Sequence, residues 1–150
     1  MFFRKLLTIC ILLLSSTILE AQWITPTKDI CIKHGGKISI DNLCIASWQK
    51  SKLICKAEDA RLASFEELEK VMLDCNGKLN DYKNNRANSS YQKCYKSKGF
   101  SKLEYYWSAT PIGNRSRDAW FIDFSNGGKN YLSKDNEYSV QCIRKKQKAN

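Results

Sequence analysis

The cysteines constrain this chain more than any other feature, because its N-terminus reads as a secretion signal. Arg4 and Lys5 give a positive start, an almost uncharged apolar run extends from Leu6 to Leu19, and Leu19-Glu20-Ala21 resembles a cleavage site. A run of this length can enter a translocon but is short for spanning a bilayer. Residues 1–21 are therefore expected to be removed, leaving no membrane span. Ile9 before Cys10 is too bulky for lipoprotein processing. Of the seven cysteines, six then remain: Cys31, Cys44, Cys55, Cys75, Cys94 and Cys142. An even number in an exported chain reads as three disulfides, formed in the periplasm or outside the cell. Zinc competes poorly, since there is no CxxC spacing and only one histidine.

Residues 22–144 have the length of a single domain, followed by a basic tail at 145–150. Upstream of Cys44 the pattern suggests short strands with turns at Gly35-Gly36 and Asp41-Asn42. A Cys31–Cys44 bridge would staple such a hairpin, which could hardly persist alone. Ser47 can cap a first helix, with Trp48, Ser51, Lys52 and Cys55 on one stripe. Ser64-Phe65-Glu66-Glu67 is a capping box opening a second helix, whose inward stripe is Phe65, Leu68, Met72 and Cys75.

Residues 75–99 are rich in asparagine and read as a long polar loop that a Cys75–Cys94 bridge would hold. From Tyr105 the pattern alternates with period two, through Tyr105-Tyr106-Trp107-Ser108-Ala109, Ala119-Trp120-Phe121-Ile122-Asp123-Phe124, Tyr131-Leu132 and Ser139-Val140-Gln141-Cys142-Ile143. Two early helices and a late antiparallel sheet give an α+β fold.

Tyr106-Trp107-Ser108-Ala109-Thr110-Pro111, the stretch from Ala119 to Gly127, and Val140-Gln141-Cys142-Ile143-Arg144 together resemble the Lcl C-terminal domain family. These are bacterial modules of the C-type-lectin-like fold, some of them surface adhesins. Trp48, Cys55, Arg61-Leu62-Ala63-Ser64 and Glu67-Leu68 resemble the two helices of the wider fold. The resemblance implies that Cys55, on the first helix, bonds Cys142 on the last strand. It also implies an N-terminal Cys31–Cys44 bridge, which leaves Cys75 with Cys94. The calcium-binding sequences of sugar-binding members, Glu-Pro-Asn or Gln-Pro-Asp with Trp-Asn-Asp, do not occur here. Asp118, Asp123, Asp135, Asn136 and Glu137 fit turn and strand-edge roles better than the converging oxygens calcium needs. No metal or cofactor is expected.

Catalysis finds little support. Glu104 is the one acid in an aromatic context, and a strand-edge role explains it. His34 has no serine or cysteine partner, and the six cysteines are committed to bridges. Recognition is the better class. Residues 78–102 carry Lys78, Lys83, Arg86, Lys93, Lys96, Lys98 and Lys102 against Asp81 alone, in a chain of net charge +10. Such a field attracts sulfated or carboxylated polymers. Tyr82, Tyr91 and Tyr95 are interleaved with these cations. Tyrosine rings can lie flat on sugar faces, Tyr91 and Tyr95 are the expected ligand-binding pair, and Arg115 and Arg117 are expected to border the same surface. The expected ligand is an anionic glycan or envelope polymer bound without calcium, with an acidic protein surface as the alternative for an accessory subunit or inhibitor. Export makes nucleic acid a poor partner.

Overall fold

The computed structural model describes residues 21–144. The expected signal, apart from Ala21, and the basic tail lie outside the described residues. In chain order the elements are β1 (Gln22–Ile24), α1 (Lys28–Lys33), β2 (Lys37–Ile38), β3 (Cys44–Ala46), α2 (Trp48–Ala57), β4 (Arg61–Leu62) and α3 (Phe65–Asp74). They continue with α4 (Tyr82–Ala87), α5 (Ser89–Ser97), β5 (Tyr105–Pro111), β6 (Asp118–Asp123), β7 (Gly128–Ser133), β8 (Tyr138–Ser139) and β9 (Cys142–Arg144). One sheet has the order β1-β9-β4, and the other β2-β3-β8-β5-β6-β7. All pairings are antiparallel except β5 with β8. The fold is mixed α+β, and the Gln22↔Arg144 register brings the two ends of the described chain together.

Alternation along the central strands builds two cores, one on each face of the larger sheet. Tyr106 and Ile122 pack with Leu68, Met72, Tyr91 and Tyr95 beneath α3 and α5. Their neighbours Trp107, Ala119 and Phe121 pack on the other face with Trp48, Ile54 and the Cys55–Cys142 bridge. Both buried indoles are satisfied. Trp107 Nε1 donates to the Ala46 carbonyl at 3.0 Å, and Trp48 Nε1 to that of Ser108 at 2.8 Å.

The capping box at α3 forms as its sequence suggests. Ser64 Oγ accepts from the Glu67 N–H, and Glu67 Oε2 accepts from the Ser64 N–H at 2.8 Å. Arg61 clamps the same carboxylate with two bonds of 2.6 and 2.7 Å. At α2 the outcome is mixed. Ser47 stands at the cap position without a side-chain cap bond, and its backbone carbonyl accepts from Ser51 Oγ at 2.9 Å. Lys52 leaves the inward stripe to Ile54 and lies outside, with its ammonium 4.5 Å from the Trp48 ring centroid.

The three disulfides pair Cys31 with Cys44, Cys55 with Cys142 and Cys75 with Cys94, with Cα separations of 5.7, 5.4 and 5.5 Å. Such cross-linking fits folding in an oxidising compartment.

Two expectations are corrected. The N-terminal stretch contains a helix, α1, capped by Thr27, so Cys31–Cys44 ties a helix to β3 and not one strand to another. The expected loop at 75–99 contains α4 and α5, giving five helices among the described residues where two were expected. One of its asparagines caps a helix: Asn88 Oδ1 accepts from the Tyr91 N–H at the start of α5 at 3.0 Å.

Candidate functional site

The α4–α5 unit is fastened to the turn between β6 and β7 by a buried polar network. Asn85 Nδ2 donates to the carbonyls of Lys78 at 2.6 Å and Asn126 at 3.0 Å, while its Oδ1 accepts from the Lys78 N–H at 3.0 Å. Gln92 Nε2 bridges the carbonyls of Asn85 and Ser125. Tyr91 donates its hydroxyl to the Phe124 carbonyl at 2.6 Å, and Tyr95 to Gln92 Oε1 at 2.5 Å. The Cys75–Cys94 bridge adds a covalent tie from α5 to the end of α3. Gly127 closes the junction at φ +76°, where a Cβ would collide with Asn85 Nδ2 and the Lys78 carbonyl.

With its inner side so fixed, the unit turns its cations outward. Lys83, Arg86, Lys93, Lys96 and Lys98 are all exposed. Lys93 and Lys96 are three residues apart and neighbours on the outer face of α5. Among the described residues, the ion pairs join Lys37 to Glu137, Arg61 to Glu67, Lys70 to Asp74, Arg115 to Asp118 and Arg144 to Asp59. None of them neutralises this ridge. Its electrostatic field is therefore directed at solvent.

Two parts of the expected site are elsewhere. Tyr91 and Tyr95 are fully buried, with ring centroids 5.0 Å apart, and cannot stack on a ligand. Their spacing of four residues on an amphipathic helix directs both rings into the core. Burial pushes both hydroxyls above the usual phenol range, with Tyr95 up to about 12 and Asp123 adding to the effect. Arg115 and Arg117 precede β6, whereas α5 is bonded to Phe124 and Ser125 beyond its other end. The six residues of β6, at about 3.3 Å each, put roughly 20 Å of strand between the Arg115–Arg117 segment and the point where α5 is attached. Arg115 lies 3.6 Å from Asp118 and stacks its guanidinium 4.7 Å from the Tyr131 ring centroid. Arg86, Lys93, Lys96 and Lys98 are thus exposed on the α4–α5 unit, Arg115 and Arg117 lie before β6, and Tyr91 and Tyr95 lie in the core.

The acidic residues weighed for calcium have other partners. Asp118 faces Arg115, Asp123 accepts from Ser125, and Glu137 pairs with Lys37 at 2.8 Å. Asp135 and Asn136 serve the Ser133 turn. Among the described residues, no group of three His, Cys, Asp or Glu side chains could hold a metal ion, and no helix is long and apolar enough to cross a membrane.

One feature escaped the sequence reading. A cleft of ≈ 180 Å³ lies beside α4, lined by Tyr82, Tyr105, Phe121 and Asp123 and by the stretch Asn126, Gly128, Lys129 and Asn130. The signal that could have found it is the period-two pattern, which places Phe121 and Asp123 on one face of β6, with Tyr105 opposite Asp123 on β5.

Compared with known proteins, the chain matches no family model and no curated protein.

Proposed function

We propose that this protein is an exported, non-catalytic binding module of the C-type-lectin-like fold, secreted or periplasmic, that holds an anionic glycan or envelope polymer in the manner of an adhesin. The observation that carries this reading is the row of cations at Lys83, Arg86, Lys93, Lys96 and Lys98, exposed and without ion-pair partners among the described residues. A long polyanion gains from such a row because each contact releases condensed counterions. Binding needs no calcium, since the charges themselves supply the attraction. The fold assignment is supported by the Cys55–Cys142 and Cys31–Cys44 pairs that the family resemblance implies, and by the pairing of β1 with β9. The three disulfides support the exported location.

Heparin chromatography tests the reading. The oxidised protein is expected to be retained at low salt, to elute at modest ionic strength, and to lose retention when Lys93, Lys96 and Lys98 are changed to Glu. Undiminished retention of that variant would overturn the ridge as the binding surface. Salt-tolerant, saturable capture of one protein, with no retention on heparin, would favour an accessory-subunit role. Hydrolysis of a glycan substrate that disappears in Glu104→Gln would contradict a non-catalytic module.

A further inference from the structure

We propose that the cleft between α4 and the β5–β6–β7 face is a second binding site, which takes an uncharged pyranose ring by stacking it on Tyr105 and Tyr82. Both rings are accessible, at 45% and 50% exposure. Tyr105 is braced before any ligand arrives. Its ring stacks on Phe121 at 5.1 Å between centroids and 30° between planes, and Tyr138 meets it edge-on at 5.4 Å. A ring already held by two neighbours loses little freedom on binding, so more of its stacking energy appears as affinity. Gly128 lets the opposite wall come close, since a Cβ there would sit 3.3 Å from Tyr82 Cε1.

The polar groups of the cleft suit vicinal hydroxyls. Asp123 uses Oδ1 to accept from both the N–H and the Oγ of Ser125, which leaves Oδ2 without a hydrogen bond among the described residues. Asn130 uses its Oδ1 to accept from the Tyr131 N–H at 2.8 Å, leaving the amide as a donor. An acceptor and a donor beside a flat aromatic ring are what a sugar with adjacent hydroxyls can satisfy together. The cleft is less suited to a cation, because Lys83 and Arg86 stand on the adjoining helix and an amide donor offers nothing to an ammonium group. Nor is it an anion site. Lys129 belongs to the lining, but it pairs with Ile122 and its ammonium lies 5.5 Å from the Phe65 ring centroid and 5.8 Å from that of Trp120, among residues packed on the opposite face of the sheet.

Tyr82 and Arg86 are four residues apart on α4 and share one side of it. The cleft therefore ends where the basic ridge begins, and one polysaccharide could use both. The inference rests on the proposed glycan recognition only in this continuity. It is tested with uncharged probes, so its failure leaves the heparin experiment unaffected.

Saturation-transfer NMR of the oxidised protein in high salt, with the methyl pyranosides of glucose, galactose, mannose and N-acetylglucosamine, provides the test. At least one sugar is expected to receive transfer at its ring protons. Tyr105→Ala is expected to weaken binding about tenfold, while Tyr105→Phe retains it. Tyr82→Ala, altered at an exposed position on the opposite wall, should weaken it as well. No transfer to any of the four sugars, unchanged transfer in both alanine variants, or binding of tetramethylammonium in their place would overturn the proposal.

Discussion

Tyr91 directs its hydroxyl into the protein interior, where it donates to the Phe124 carbonyl at 2.6 Å. Tyr91→Phe should leave that carbonyl unsatisfied and destabilise the fold by about 1–3 kcal/mol, measurable by denaturant titration. Heparin retention of the folded variant should not change, since the ring contributes to packing and not to the surface. The same burial has a pH signature. Tyr91, Tyr95, Tyr106 and Tyr138 all have hydroxyls raised above the phenol value of 10, chiefly by desolvation. Between that value and the folded one, the unfolded chain binds fewer protons than the native chain, so stability falls as pH rises. Their contribution is complete below pH 10 and is lost progressively towards and beyond the value of about 12 at Tyr95. Melting curves recorded from neutral to strongly alkaline pH should be flat at first and then decline steeply, with the decline reduced in Tyr91→Phe.

At the scale of elements, the α4–α5 unit depends on one buried amide. Asn85→Ala removes three hydrogen bonds at once, leaving the Lys78 N–H and the Asn126 carbonyl unpaired and the Lys78 carbonyl with only the longer bond from the Asp81 N–H at 3.4 Å. The expected cost is at least about 2 kcal/mol, with hydrogen-exchange protection lost first across residues 78–99 and retained in β5 and β6. This unit is also where sequence and structure part company. The capping box at Ser64, the stripe from Phe65 to Cys75 and the alternation in β5 and β6 were legible because each is a local pattern with one dominant reading. Asn84, Asn85 and Asn88 were not, since asparagine serves turns and helix caps alike and only tertiary partners decide between them. Tyr91 and Tyr95 carried a helical spacing of four, but the surrounding charge masked it. The cations of the ridge were visible by composition. Their separation from Arg115 and Arg117 depends on strand length and on where α5 docks, which no local pattern encodes. The cleft was hidden for a related reason, because its walls come from α4, β5, β6 and β7.

Across the whole molecule, stability depends on closing the chain. Cys55–Cys142 spans 87 residues, against 19 for Cys75–Cys94 and 13 for Cys31–Cys44. In the chain-entropy picture, replacing Cys55 and Cys142 by serine costs about 4–5 kcal/mol, and the equivalent change at Cys31 and Cys44 about 3 kcal/mol. Denaturation midpoints of the two double variants should fall in that order. Loss of Cys75–Cys94 should instead loosen α5 locally and weaken polyanion binding.

The functional reading reduces to counterion release by an unpaired basic ridge, and a salt series measures it directly. In calorimetric titration of the oxidised protein with a heparin oligosaccharide, the logarithm of the affinity should fall linearly with the logarithm of salt concentration. A slope of about −3 is expected if Arg86, Lys93, Lys96 and Lys98 all engage, and Lys93→Ala, Lys96→Ala and Lys98→Ala combined should reduce it to about −1. A slope near zero, or one that the combined variant leaves unchanged, would contradict the assignment of this ridge as the binding surface.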